Sequence, residues 1–221
     1  MKKALIVFGG WPGHEPEICS KIISGWLEKD GYEVRIEYQV SAFAEDYVLE
    51  MDLIIPIVTM AFHFSPSGEI KRNEVNNIVK AVINGAGLAG HHGGMCDAFR
   101  QSIDWQFLTG GQWVSHPNGI TDYTVHIKNT NDPITKGIKD FEYHSEQYYM
   151  HVDPLNEVLA TSKFRGFKIQ HLQFLEASFS ISVFGYFNRV SMCLDRPKFC
   201  IEDLCPTVAT ASAAATAAAV S

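Results

Sequence analysis

Apolar positions in this chain recur with two periods, one for strands and one for helices. Residues 3–8 hold the short unbroken run Leu5-Ile6-Val7-Phe8, the pattern of a strand buried on both faces. Ile18, Ile22, Ile23, Trp26 and Leu27 then repeat at helical spacing and predict an inward face on a helix over Glu15–Lys29. Asp30-Gly31 ends that helix. Glu33–Tyr38 alternates as a second strand, Ala42–Glu50 reads as a short helix, and Asp52–Val58 is a third, continuously apolar strand. A long helix is predicted over Glu69–Asn84 with Ile70, Val75, Ile78, Val79, Val82 and Ile83 inward. A fourth strand belongs to the apolar segment around Val82, Ile83, Ala86, Leu88 and Ala89, and Tyr123–Lys128 and Glu157–Thr161 read as later strands. Strands alternating with helices imply a mostly parallel sheet covered on both faces, an α/β three-layer sandwich. No internal repeat is visible.

The fourth strand leads into Gly90-His91-His92-Gly93-Gly94-Met95-Cys96-Asp97-Ala98-Phe99-Arg100. Strand, glycine-framed turn and helix together form the turn that presents a nucleophile in many α/β enzymes. Here Gly90 and Gly94 frame His92, where a serine or cysteine would be expected. The side chain at such a turn is pushed over the edge of the sheet, so His92 is a site candidate, while its residue type argues against ordinary acyl transfer. Gly93 and Gly94 let the backbone come close, and their N–H groups are candidates for a substrate oxygen. Steric tightness accounts for them equally well.

The remaining chemistry gathers in the loops leaving the strands. In an open parallel sheet, ligands bind beyond the carboxyl ends of the strands. Those segments are Gly9-Gly10-Trp11-Pro12-Gly13-His14-Glu15, Thr59–Phe64 with His63, and the glycine-framed turn. His14 is either a helix-flanking surface residue or a ligand or general acid/base. Cys96 is a candidate nucleophile whose pKa a helix's first turn would lower, or a small buried hydrophobe. Asp97 and Arg100, three apart, form an ion pair or a substrate clamp. Trp105, Gln112, Trp113 and His116 combine rings with amide and imidazole groups, which suits sugar binding. Tyr143–Asp153 is a second polar and aromatic cluster containing Glu146, Tyr148 and His151. One carboxylate meeting His92 and His14 makes a general acid/base set, and two histidines with a carboxylate can equally hold a divalent metal such as zinc.

The 221 residues suffice for one α/β domain with a full core, and 46% hydrophobic with 19% charged residues is ordinary for a soluble protein. A formal net charge of -7 argues against nucleic acid and anionic membrane surfaces as partners. No apolar run is long enough to span a membrane, and Gly9–His14 cuts the first one short of a signal peptide. Five cysteines, an odd number in no close-spaced metal pattern, fit reduced thiols in a cytoplasm.

GGWPGHEPE (9–17), GLAGHHGGMCDAFR (87–100), FLTGGQWVSHP (107–117), ITKGIKDF (134–141) and SEQYYMHVDPLNEVLAT (145–161) resemble, in order, the ThuA-like (trehalose utilisation) family. The resemblance implies a flavodoxin-like sandwich similar to class I glutamine amidotransferases, without the amidotransferase cysteine at the elbow. It implies carbohydrate utilisation, of trehalose or a related disaccharide or keto-sugar. His92, Glu146, His14 and His151 are then the expected catalytic groups, and His14, His92 and Glu146 the expected metal set. Trp11, Gly93, Gly94, Asp97, Arg100, Trp105, Gln112, His116 and Tyr148 are the expected substrate contacts, with Trp11, Trp105 and Tyr148 facing sugar rings. Two other readings remain open, a non-catalytic sugar-binding or assembly module and an amidotransferase-like hydrolase using Cys96.

The resemblance stops near Ser162. Residues 1–162 hold 12 Lys and Arg against 21 Asp and Glu, whereas 163–221 hold 6 against 4 and half of the 14 phenylalanines. The expected division is a ThuA-like domain over 1–162 and an atypical segment over 163–221 of frameshifted, foreign or disordered character. Apolar surface on an incomplete sheet would favour a homo-oligomer. If a frameshift made this segment, another frame of the coding DNA encodes the family's Gly-Lys-Gly-Arg-Val-Phe-Tyr…Gly-His continuation. Its absence from both other frames refutes the frameshift.

Overall fold

Two continuously apolar strands, β1 (Lys2–Gly10) and β3 (Leu53–Thr59), lie side by side and carry the centre of the molecule. The computed structural model describes residues 1–61, 72–132, 134–164, 170–177 and 190–191. His63, the predicted helix start at Glu69 and Ile70, and most of 163–221 lie outside them. β2 (Tyr32–Tyr38), β1, β3 and β4 (Gly87–Leu88) form a four-stranded parallel sheet in that order. β11 (Val190–Ser191) extends it beyond β4, followed by β10 (Gln170–Ala177), β9 (Glu157–Lys163), β6 (Ile120–Ile127) and β7 (Phe141–Glu146). From β11 to β7 every pairing is antiparallel. β5 (Gly111–Ser115) and β8 (Tyr149–Val152) make a separate antiparallel pair.

Side-chain alternation along the central strands builds a core on each face. Leu5, Val7, Ile54 and Val58 pack with Phe43, Ile78 and Val82, beneath helix α2 (Arg72–Ile83). Ile6, Ile55 and Ile57 point the other way, onto Cys19 and Ile23 of helix α1 (Pro16–Lys29). Helices on both faces of a parallel sheet give the predicted three-layer α/β sandwich.

Several boundaries differ from the sequence pattern for local reasons. The seam of α1 centres on Cys19 and Ile23, which leaves Ile18 exposed one position off it. Ile83 ends α2 and is exposed, and Val82 belongs to that helix rather than to β4, which is only two residues long. Ala42–Glu50 is not one helix but two 3-10 turns, Val40–Ala44 and Asp46–Glu50, broken where Glu45 adopts an extended backbone (φ -79, ψ 148). The sheet is half antiparallel because the segments after Gly110 join many of their strands by short returns instead of helical crossovers.

Trp105 corrects one expectation outright. It sits in helix α4 (Ile103–Thr109), after the short helix α3 (Gly93–Cys96), and is 1% exposed. Its indole N–H donates to the Met95 carbonyl at 3.2 Å and its ring packs against Phe99. Such a ring fills core and cannot face a sugar. Trp105→Ala should cost about 3–5 kcal/mol of stability in urea unfolding; a loss of about 1 kcal/mol or less would contradict the core role.

Candidate functional site

The carboxyl ends of three parallel strands supply one side of a cluster of polar side chains, and segments from the antiparallel strands supply the other. His14 closes a 3-10 turn (Pro12–His14) just after β1, Thr59 ends β3, and His92 follows β4. Glu146 ends β7, and His116 follows β5. Glu146 Oε2 lies 3.8 Å from His14 Nε2 and 3.5 Å from His92 Nε2, while Oε1 lies 3.7 Å from His116 Nε2. One carboxylate therefore faces three imidazoles, two through one oxygen and the third through the other. His14, His92 and Glu146 present ligand atoms within 4.8 Å of one another, the separation a metal set requires.

Behind the imidazoles stand two hydroxyls. Thr59 Oγ1 is 2.8 Å from His14 Nδ1, and the Tyr148 hydroxyl is 3.0 Å from His92 Nδ1. The His14 and His92 rings meet edge to face at 4.7 Å, and Tyr148 lies tilted against His92 at 4.5 Å and near-parallel to His116 at 6.3 Å. His92 Nε2 and His116 Nδ1 are buried atoms with no hydrogen-bond partner.

Backbone strain concentrates here. Among the described residues, the non-glycine positions with positive φ are Glu15, Gln39, Met60 and His92. Three of the four are at or beside His14, Thr59 and His92, and strain of this kind gathers at sites that need unusual placement. His92 itself has φ 50 and ψ -144, so the predicted sharp turn exists. Met60 N–H donates to Asp97 O and Ala61 N–H to Ala98 O, tying the end of β3 to the segment after the turn.

The glycines at the turn serve close packing. A Cβ on Gly93 would lie 2.8 Å from Thr59 Oγ1, and one on Gly94 would lie 2.9 Å from Ile57 Cα. Both glycines are buried, and the steric role expected of them is met.

Charge follows from these contacts. Burial, then the neighbouring His14, pushes the His92 imidazole down to about 3, and His91 beside it falls to about 4 for the same reasons. Burial raises the Glu146 carboxyl, but the His14, His92 and His116 rings outweigh it and leave the group below the usual carboxylate range. Burial, then the nearby Glu146 charge, holds the Tyr148 phenol well above its ordinary value. At neutral pH the site is a carboxylate facing a neutral His92, backed by a protonated phenol.

Other predicted site residues lie apart. His151 is exposed on β8, its ring against Tyr149, and does not join the Glu146 cluster. Gln112 pairs with it across β5 and β8. Asp97 is 3% exposed and takes two bonds from Arg100, whose guanidinium lies 4.3 Å over the Trp113 ring. That is the structural ion pair and not a substrate clamp. Tyr148 is buried and its hydroxyl engaged, so it does not offer a face to a sugar. Trp11, three residues before His14, is 45% exposed. A cavity of about 20 Å³ beside His14, His91 and His92 holds a water at most, so a sugar would lie outside it. The spacing of the chain offered no signal for Thr59 as a site residue beyond its place at a strand's carboxyl end.

The ThuA (trehalose utilisation) family profile matches residues 3–181. The chain belongs to the trehalose-utilisation family. The ThuA match runs past Ser162 to residue 181. Two solved ThuA-like proteins share the fold. The one from Bacteroides uniformis is 22% identical, with 73% of this chain and 68% of that chain covered and a TM-score of 0.59. The one from Parabacteroides merdae is 13% identical, with 86% and 78% covered and a TM-score of 0.63. A glutamine amidotransferase from Thermotoga maritima matches more weakly, at 11% identity over 78% and 74% with a TM-score of 0.45. No curated protein matches the chain. No described helix of this ThuA protein is long and apolar enough to cross a membrane.

The surroundings of Cys96 do not favour a thiolate nucleophile. Burial, then the adjacent Asp97, pushes its thiol up to about 12, opposite to the lowering expected of a helix start. At pH 8 the native protein should be alkylated at Cys96 by iodoacetamide at least roughly a hundredfold more slowly than an ordinary thiol. Peptide mapping by mass spectrometry reads the rate, and alkylation as fast as that of a free thiol would reinstate the cysteine.

Proposed function

We propose that this ThuA protein processes a disaccharide or its keto-derivative in the cytoplasm, with a divalent cation such as zinc held by His14, His92 and Glu146. The observation that carries the reading is the single Glu146 carboxylate facing three imidazoles. The donor set fits a cation. His92 Nε2 is buried, points at Glu146 and has no hydrogen-bond partner. Its 3.5 Å and the 3.8 Å of His14 are too long for good hydrogen bonds but close to the about 3.4 Å that separates two ligands on a tetrahedral zinc. When bound, the cation would supply Lewis-acid polarisation of a carbonyl or hydroxyl oxygen.

The protein's own groups divide the remaining work. His116 is the most exposed of the three histidines and touches the Glu146 oxygen that the other two do not face. It is the group to take or return a substrate proton, with Glu146 orienting its ring. Trp11 offers a face for an apolar side of a sugar ring.

Two measurements test this. The purified protein should carry close to one equivalent of divalent metal by elemental analysis, and His92→Ala and Glu146→Ala should each lose most of it. A screen of disaccharides and their keto-derivatives should find turnover that falls by about a hundredfold or more in His116→Asn with metal retained. If neither His92→Ala nor Glu146→Ala alters metal content, ligand binding or turnover, the site is wrong. Sugar binding without turnover would make the chain a binding module.

A further inference from the structure

We propose that Thr59 and Tyr148 are positioning residues that hold His14 and His92 as Nδ1–H tautomers, so that both Nε2 lone pairs face Glu146 as a ready-made cation receptor. The inference rests on the metal reading above, and it concerns two residues outside that donor set. Its ground is a repeated arrangement. Two histidines from different strand ends each place Nδ1 on a buried hydroxyl, at 2.8 and 3.0 Å, and each turn Nε2 to the same oxygen, Glu146 Oε2, at 3.8 and 3.5 Å.

The proton's place on each ring follows from those distances. A neutral imidazole carries one N–H. On His92 Nε2 that N–H would be buried without a hydrogen-bond partner, because Glu146 stands beyond hydrogen-bonding length. On Nδ1 it donates to the Tyr148 hydroxyl oxygen at a good length. On His14 the Nδ1–H finds Thr59 Oγ1 as acceptor at 2.8 Å, a better length than the 3.8 Å from Nε2 to Glu146. Orientation of a metal-binding imidazole through its second nitrogen is a general device. Here the acceptors are neutral hydroxyls, so the carboxylate of Glu146 remains the one anion of the set.

The packing confirms that the two hydroxyls are placed together. Thr59 is 5% and Tyr148 8% exposed, and both abut Gly93. A Cβ there would lie 2.8 Å from Thr59 Oγ1 and 3.1 Å from the Tyr148 hydroxyl. The residue after His92 is thus bare where the two acceptors come in. Met60, next to Thr59, and His92 itself hold positive φ, which aims the strand end and the turn at each other.

The test uses the full chain with ¹⁵N-labelled histidine at pH 8 and cobalt(II) as the metal probe. Two-bond ¹H–¹⁵N correlation spectra of the metal-free protein should show His14 and His92 as Nδ1–H tautomers. Thr59→Val should move His14, and Tyr148→Phe should move His92, toward Nε2–H, each without disturbing the other ring. Each variant should bind cobalt about 10–100-fold more weakly, and Thr59→Ser should restore the affinity. Nε2–H tautomers in the unsubstituted protein, or unchanged tautomers in both variants, overturn the inference. Tyr148→Phe keeps the ring and its packing, so it decides the matter even if Thr59→Val does not fold. If the unsubstituted protein takes up no cobalt, the metal reading fails, and the tautomers still decide the role of the hydroxyls.

Discussion

The site depends on keeping one half-buried carboxylate charged. Glu146 sits among rings, where loss of water favours its neutral form. Three imidazoles from three separate loops converge on its two oxygens at 3.5 to 3.8 Å and take the place of that water. Everything else near the pocket can be read as a means of bringing those rings to that oxygen pair.

The means are mostly steric. β1, β3 and β4 run parallel, so their carboxyl ends deliver His14, Thr59 and His92 to one edge. The antiparallel strands return from the far side and deliver Glu146 and Tyr148. The approach is closer than side chains at the turn would permit, which is why Gly93 and Gly94 are buried against Thr59 and Ile57. Strain at Glu15, Met60 and His92 is the backbone's share of the same constraint. The result keeps the sharp turn of a nucleophile elbow but fills it with a ring of very low basicity, and the nearby Cys96 thiol is a weak acid.

Much of this was legible in the sequence where a property is local. The strands at residues 3–8 and 52–58 are apolar without interruption, and only a doubly covered strand tolerates that. The elbow was legible because glycine spacing reports backbone geometry directly. His14, His92 and Glu146 were legible as a set because the first two leave parallel strands at the same edge. His151 and Trp105 were misread for one reason. Polar and aromatic residues near a site look alike in sequence, while register on β8 turns His151 outward and the helix face turns Trp105 into the core.

His116 shows the same limit from the other direction. Its sequence context suggested sugar contact, but the β5–β8 pairing swings it onto the free oxygen of Glu146. By itself the sequence determined the layered α/β plan, the sharp turn and the family, because hydrophobic period, glycine placement and ordered motifs are properties of short stretches. Only the tertiary structure decided which ring meets which oxygen, that Thr59 and Tyr148 stand behind two of them, and that Asp97 and Arg100 serve packing. Most of those outcomes depend on distances between residues far apart in the chain, such as His14 with Thr59 and His92 with Tyr148, 45 and 56 positions apart, which no local pattern encodes.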